Sequence, residues 1–259
     1  FENRLGSGAF GEVYARCDSM AFYTYLFAQE SLDPNPLPME VAAMKSVSKP
    51  PHPGVIQLLD WCNGTEKIAL VMERHSPCVN LEDYIQCQST GVRESQARCF
   101  FQQIVQALQH CHACGVFHGD VTPDNILVNV FSEQVILIDF GIIKLLLFLG
   151  VLWLAPPEFY VTGRFREIPA TVWSLGLILY EMVYKCLPFS TEHEIVEGHL
   201  KFERPISEDC EDIIRKCLAH LPTDRPTMEE IHQHSFMKGP SAEVKCIRNS
   251  KGKIKNTTK

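Results

Sequence analysis

The sequence predicts an α+β fold in two lobes, a small β-rich one followed by a larger helical one. Three observations carry that expectation. Short runs of alternating apolar residues concentrate before residue 74, the pattern of strands with one buried face. From Glu94 onward the apolar residues recur instead at spacings of three and four, the pattern of helices. The chain has 259 residues, 46% hydrophobic and 21% charged, a globular composition too long for one minimal core and short for two full domains.

Taken in order, Leu5 to Val13 starts with a glycine-rich turn between strands. Pro38 to Val47 carries a short helical pattern that Pro50, Pro51 and Pro53 must end, because proline lacks the N–H that a helix needs. Alternation returns at Gly54 to Trp61 and at Lys67 to Glu73, which read as antiparallel strands. After Glu94, the residues Phe100, Phe101, Ile104, Val105 and Leu108 form one apolar helix face, and Gly115 stops it. Two short strands follow at Ile126 to Val128 and Val135 to Ile138, then helices at Ala170 to Tyr184, Asp209 to Ala219 and Thr227 to His232. The expected division is a first lobe over 1–73, a connection over 73–78, a second lobe over 79–237, and a basic tail over 238–259 whose Lys, Ser, Asn and Thr content predicts disorder.

A formal net charge of −7 argues against general nucleic-acid binding and favours basic peptides or other positively charged partners. The eleven cysteines run from Cys17 to Cys246 without the short regular spacing of a secreted disulfide framework, so reduced thiols in the cytoplasm or nucleus are expected. Cys111 and Cys114 form a C-x-x-C with no second pair at zinc spacing, and core or surface thiols are the expectation for them. Phe1 to Gly11 is glycine-rich and has no apolar stretch of the signal-peptide kind. The most apolar run, Leu145 to Ala155, has about half the length of a membrane span, so no membrane crossing is expected.

Four motifs stand in a telling order. Gly6-Ser7-Gly8-Ala9-Phe10-Gly11-Glu12-Val13, preceded by Leu5, matches G-x-G-x-x-G-x-V, in which glycines let backbone N–H groups approach phosphate oxygens. His118-Gly119-Asp120-Val121-Thr122-Pro123-Asp124-Asn125 resembles H-R-D-L-x-x-x-N. Asp139-Phe140-Gly141 follows, with Asp139 fourteen residues after Asn125, and Pro156-Pro157-Glu158 stands where A-P-E belongs. In that order they resemble the protein-kinase family over nearly the whole chain, and the resemblance implies a bilobal protein-kinase fold that binds ATP and Mg²⁺. It implies Asp120, Asn125 and Asp139 as catalytic residues, with Asp120 receiving or orienting the substrate hydroxyl and Asn125 and Asp139 as metal ligands. Leu5 to Val13, Glu40 and Glu73 are implied on the nucleotide.

Further segments resemble the PIM group of serine/threonine kinases: Pro38-Met39-Glu40-Val41, Val55 to Trp61, Glu73-Arg74-His75-Ser76-Pro77, His110 to Val116, Val172-Trp173-Ser174-Leu175-Gly176 and Asp224-Arg225-Pro226-Thr227. This implies a carbonyl contact to adenine from Glu73, a connection short of donors because Pro77 has no N–H, and a structural ion pair between Arg225 and Glu158. It also implies a monomer acting on protein substrates with basic residues before the Ser or Thr, read by Asp83 and Asp124, with Glu192 and Glu194 nearby and Asn80 and Cys186 standing where the group has acids.

The pattern also breaks. No lysine occurs from Ala15 to Leu37, where the family's third strand reads like V-A-I-K, and 27 positions from Val13 to Glu40 are tight for two strands and their turns. Lys45 belongs on the helix with Glu40. Gly119 replaces the arginine that receives an activation-loop phosphate, Thr122 replaces a lysine, Val151 replaces a threonine, and no Ser, Thr or Tyr lies between Gly141 and Pro156. Phosphorylation of that loop is therefore not the expected switch. Two functions stay open: phosphoryl transfer to protein Ser or Thr, or a pseudokinase that binds partners without transfer.

Overall fold

The structure is a computed structural model that describes residues 3–7, 11–17, 20–26, 39–63, 67–140 and 154–239, with the first three strands described by their backbone. Five antiparallel strands form the first lobe: β1 Asn3–Ser7, β2 Gly11–Cys17, β3 Met20–Leu26, β4 Leu58–Asn63 and β5 Lys67–Glu73, in the spatial order β1-β2-β3-β5-β4. Helix α1, Met39–Val47, buries Glu40, Val41, Met44 and Val47, a set spaced along one face. It ends where Ser48 N donates to Met44 O, just before the proline cluster.

Two strand expectations change. A third strand does fit between Val13 and Glu40, because β2 turns into β3 after Cys17 and β3 pairs with β5 along its whole length, Met20 opposite Glu73 through Leu26 opposite Lys67. The Gly54 to Trp61 strand starts four residues later, at Leu58. Its first residues join the lobes instead: Ile56 N donates to Leu137 O at 3.0 Å and Leu137 N to Gly54 O at 2.8 Å. Val55 and Ile56, 3% and 4% exposed, are apolar because they are buried between the lobes.

The second lobe begins with β6 Cys78–Asn80 and α2 Leu81–Cys87, then α3 Glu94–Ala113. A single 3₁₀ turn, Pro123–Asn125, leads into β7 Ile126–Asn129 and β8 Val135–Leu137, which with β6 form a small sheet in the order β6-β7-β8. Helices α4 Pro157–Thr162, α5 Glu167–Tyr184, α6 Glu192–Glu197, α7 Glu208–Cys217, α8 Met228–Gln233 and α9 Ser235–Lys238 complete the described residues. The expected apolar face of α3 is buried as read, from Ala97 through Leu108 to Cys111. Helix α5 is buried on nearly every side, from Ala170 to Val183, and so runs through the middle of the lobe.

Close approach fixes Gly176. A Cβ there would lie 2.7 Å from Leu218 Cγ and 2.9 Å from Cys217 Cβ, so only glycine lets α5 and α7 touch. Beside it, Trp173 stacks on Phe189 with ring centroids 5.8 Å apart, and the Arg225 guanidinium lies 5.0 Å from the Trp173 ring. Arg225 forks onto Glu158, with Nη1 to Oε1 at 2.9 Å and Nη2 to Oε2 at 2.6 Å, as the motif resemblance implies. Its remaining N–H groups reach Ala219 O, Pro169 O and His220 O, so this wholly buried cation leaves no donor idle.

The nine cysteines with described side chains are free thiols. Burial pushes Cys111, Cys210 and Cys217 up to about 12, which makes them core groups and not nucleophiles. Among the described residues no helix is long and apolar enough to cross a membrane, and no cluster of three or more His, Cys, Asp or Glu could hold a metal by itself.

Candidate active site

The loop between α3 and the 3₁₀ turn is built around a neutral histidine. His118, 2% exposed, gives Nε2–H to Ile138 O at 3.0 Å, while its Nδ1 accepts from Asp120 N at 3.3 Å. Those two bonds need the imidazole uncharged, and burial pulls it down to about 4. One ring thereby ties the residue before Asp139 to the residue bearing Asp120. Phe140, 4% exposed, packs its ring 4.8 Å from the His118 ring, which anchors the other side of Asp139. Asp139 itself has φ 62, the left-handed region that costs a non-glycine residue energy and recurs at functional sites.

Asn125 completes the group. Its Nδ2 donates to Asp120 O at 2.9 Å and to Asp120 Oδ2 at 2.8 Å, and its backbone carbonyl accepts from Ile138 N at 2.9 Å. Turning the amide N toward Asp120 leaves the amide oxygen, with Asp139, as a pair of hard ligands. Burial, chiefly, raises Asp120 above the ordinary aspartate range; the Asn125 bond lowers it, and the charges of Asp139 and Asp124 raise it again. The three residues expected to be catalytic thus lie within mutual electrostatic reach. The donor set fits Mg²⁺, which takes one or two protein oxygens and completes its shell with water and phosphate.

Asp83 and Asp124 also come together, in company that sequence reading did not supply. Glu82 and Asp83 in the first turn of α2, Asp124 in the 3₁₀ turn and Glu181 near the end of α5 form one acidic cluster. Burial raises Glu181 to about 8, helped by a hydrogen bond and the charge from Glu82 and by the charge of Asp124, so Glu181 keeps its proton at neutral pH. Burial and the charges of Glu82 and Asp83 likewise raise Asp124. Asn80, one of the two residues read as standing in place of an acid, is the N-cap of α2, its Oδ1 accepting from Asp83 N at 2.6 Å. Cys186 is exposed beside Lys185, whose Nζ donates to Gln86 O and Gln88 O and so closes the end of α2. Glu194 serves α6, taking Ser190 N at 2.6 Å, and α6 packs on α4.

At the lobe connection, Glu73 N donates to Gln57 O at 3.1 Å, and its carboxylate turns back to Gln57 N at 3.1 Å and to His75 Nε2 at 3.0 Å. The His75 contact chiefly lowers Glu73 below the usual carboxylate range. Pro77 lies beyond this point, with its carbonyl toward Val130 N at 3.4 Å, so its missing N–H falls where the chain enters β6. Arg74, His75 and Ser76 all keep theirs.

Of the glycine-rich motif, Gly6 and Ser7 end β1 opposite Val13 and Glu12 of β2, with Leu5 at an irregular step of β1 and Gly11 opening β2. Gly8, Ala9 and Phe10 lie outside the described residues, as do Gly141 and Val151. Glu40 is 7% exposed in the first turn of α1. Lys45 shares that helix, as expected, but is exposed to solvent on another side. β3 reads Met20-Ala21-Phe22-Tyr23-Thr24-Tyr25-Leu26, a strand without a lysine. Gly119 and Thr122 line, with Asp120, Pro156, Ser174 and Glu181, a cavity of about 100 Å³.

Against known families, the protein kinase domain matches residues 1–237. The serine/threonine-protein kinase pim-2 of Danio rerio is 36% identical over 93% of this chain and 85% of its own length. The serine/threonine-protein kinase prk-2 of Caenorhabditis elegans is 33% identical over 95% of this chain and 60% of its own length. The kinase PSK1 of Saccharomyces cerevisiae is 28% identical over 90% of this chain and 19% of its own.

Proposed function

This chain belongs to the protein kinase family, and we propose that it transfers the γ-phosphoryl group of ATP, with Mg²⁺, to serine or threonine hydroxyls of protein substrates. The observation that carries the reading is the junction of Asp120, Asn125 and Asp139 through His118 and Ile138. When bound, magnesium would supply charge neutralisation at the phosphates. Asn125 and Asp139 would hold it, and Asn125 keeps Asp120 oriented by its amide N–H. Asp120, raised by burial, is placed to accept the hydroxyl proton once ionised. The ends of β1 and β2 at Ser7 and Gly11 would border the phosphates and the Glu73 carbonyl would meet the base.

The acidic cluster of Glu82, Asp83, Asp124 and Glu181 supports a preference for basic residues before the target hydroxyl, since a cation there would replace the proton held by Glu181. Free thiols suit a cytoplasmic or nuclear location, and action as a monomer belongs to the same reading. A second reading, a partner-binding pseudokinase, is favoured by the third strand, which forms without a lysine.

The deciding assay is Mg²⁺-dependent transfer to an arginine-rich serine peptide by the wild-type chain, Asp139→Ala and Asp120→Asn. Transfer that disappears in both variants supports the enzyme. A folded wild-type chain that transfers nothing leaves the pseudokinase.

A further inference from the structure

We propose that Tyr23 occupies the sheet position from which a lysine holds nucleotide phosphates in this family, so that this residue sets how weakly the chain grips a triphosphate. The inference rests on the nucleotide-binding reading above. Strand β3 pairs with β5 through seven consecutive partners without a slip, from Met20 opposite Glu73 to Leu26 opposite Lys67. A one-residue shift would move every residue to the other face, and this uninterrupted register, anchored at Glu73, excludes it. Tyr23 therefore stands opposite Leu70, on the same sheet face as the positions opposite Met72 and Ile68. That face is the inner one: Leu70 and Ile68 are 0% and 5% exposed and belong to one core with Val41 and Met44 of α1, the helix that buries Glu40.

Charge gives the position its weight. Tyrosine is neutral below pH about 10, so position 23 brings no cation to a polyanion. The loop offers Thr122, Lys45 is solvent-exposed, and among the described residues the charges that act on Asp120 are those of Asp139 and Asp124, both carboxylates. Metal must then supply the neutralisation that lysine shares elsewhere in the family.

The test compares ATP with adenosine, which has no phosphates, by calorimetry on the wild-type chain, Tyr23→Lys and Thr24→Lys. Thr24 stands opposite Ala69, on the other face of the same strand, and receives the same added charge. With Mg²⁺ present, Tyr23→Lys should raise the preference for ATP over adenosine by about tenfold or more, the effect of one charge-assisted contact, and Thr24→Lys should not. Transfer by Tyr23→Lys should rise by roughly a hundredfold, the scale of one preorganised donor. The wild-type chain also decides alone: in metal-free buffer it should bind ATP at least about tenfold more weakly than adenosine, from carboxylate repulsion. Equal or tighter ATP binding there shows a cation at the phosphates and overturns the proposal, as does an ATP preference that Tyr23→Lys leaves unmoved while adenosine still binds. Neither ligand binding to any folded variant overturns the nucleotide reading and the proposal with it.

Discussion

The two ends of α5 handle part-buried acid in opposite ways. Near its start, Glu158 meets a cation that packs on Trp173 and spends every N–H of its guanidinium on the fold. Near its end, Glu181 meets Glu82 and Asp124, and a proton takes the place of the cation. The first arrangement is complete in the protein alone. The second is held by a proton that stays on Glu181 up to about pH 8, so it needs no cation of the protein's own at neutral pH.

The largest break in that comparison is Arg225→Ala, which leaves the mostly buried Glu158 carboxylate without its cation and should cost about 3–5 kcal/mol in urea unfolding. Replacing both partners with apolar residues, Arg225→Met with Glu158→Leu, should recover most of it, because the penalty lies in the stranded charge. Next in size, Gly176→Ala should cost roughly 1–3 kcal/mol by forcing α5 from α7 beside the same pair, read by the same unfolding curve.

Glu181→Gln tests the other end through pH. The folded chain binds a proton at Glu181 that the unfolded chain releases near 4.5, so wild-type stability should fall as pH rises from about 4.5 through about 8. Glutamine holds its hydrogen at every pH, so the variant should lose that slope and gain on wild type above pH 8 in thermal melts. Equal slopes would show that Glu181 does not hold that proton. The smallest effect belongs to Lys216 on α7, whose Nζ lies 2.7 Å from Asp212 with both side chains about half exposed. Lys216→Ala should cost no more than about 0.5 kcal/mol, and a larger loss would show that burial is not what sets Arg225 apart.

Much of the fold was legible because period and punctuation agree in it. The face of α3 from Phe100 to Leu108, the prolines that end α1 and the ordered motifs around Asp120 and Asp139 all rest on local spacing. What escaped rests on partners distant in sequence. Val55 and Ile56 look like strand because they are apolar, but their hydrogen bonds go to Leu137 in the other lobe. β3 hides because its family mark is a lysine, and Met-Ala-Phe-Tyr carries none. Glu181 is an ordinary helix residue until α2 and the 3₁₀ turn bring Glu82 and Asp124 against it. Asn80 was read by what it lacks, a charge, whereas its position before α2 makes it a cap.

The attachment of α1 makes that helix a lever. Its last carbonyl, Val47 O, accepts from His110 Nε2 of α3 at 2.8 Å, so the fulcrum belongs to the helical lobe while the helix works in the sheet lobe. Glu40 is seven residues from that fulcrum, an arm of about 10 Å at 1.5 Å per residue. Swinging α1 by some 10° about Val47 would carry Glu40 through roughly 2 Å, more than half the length of a hydrogen bond, and leave the pinned end nearly still. Met39, half exposed at the far tip, is where a small push gains the most travel.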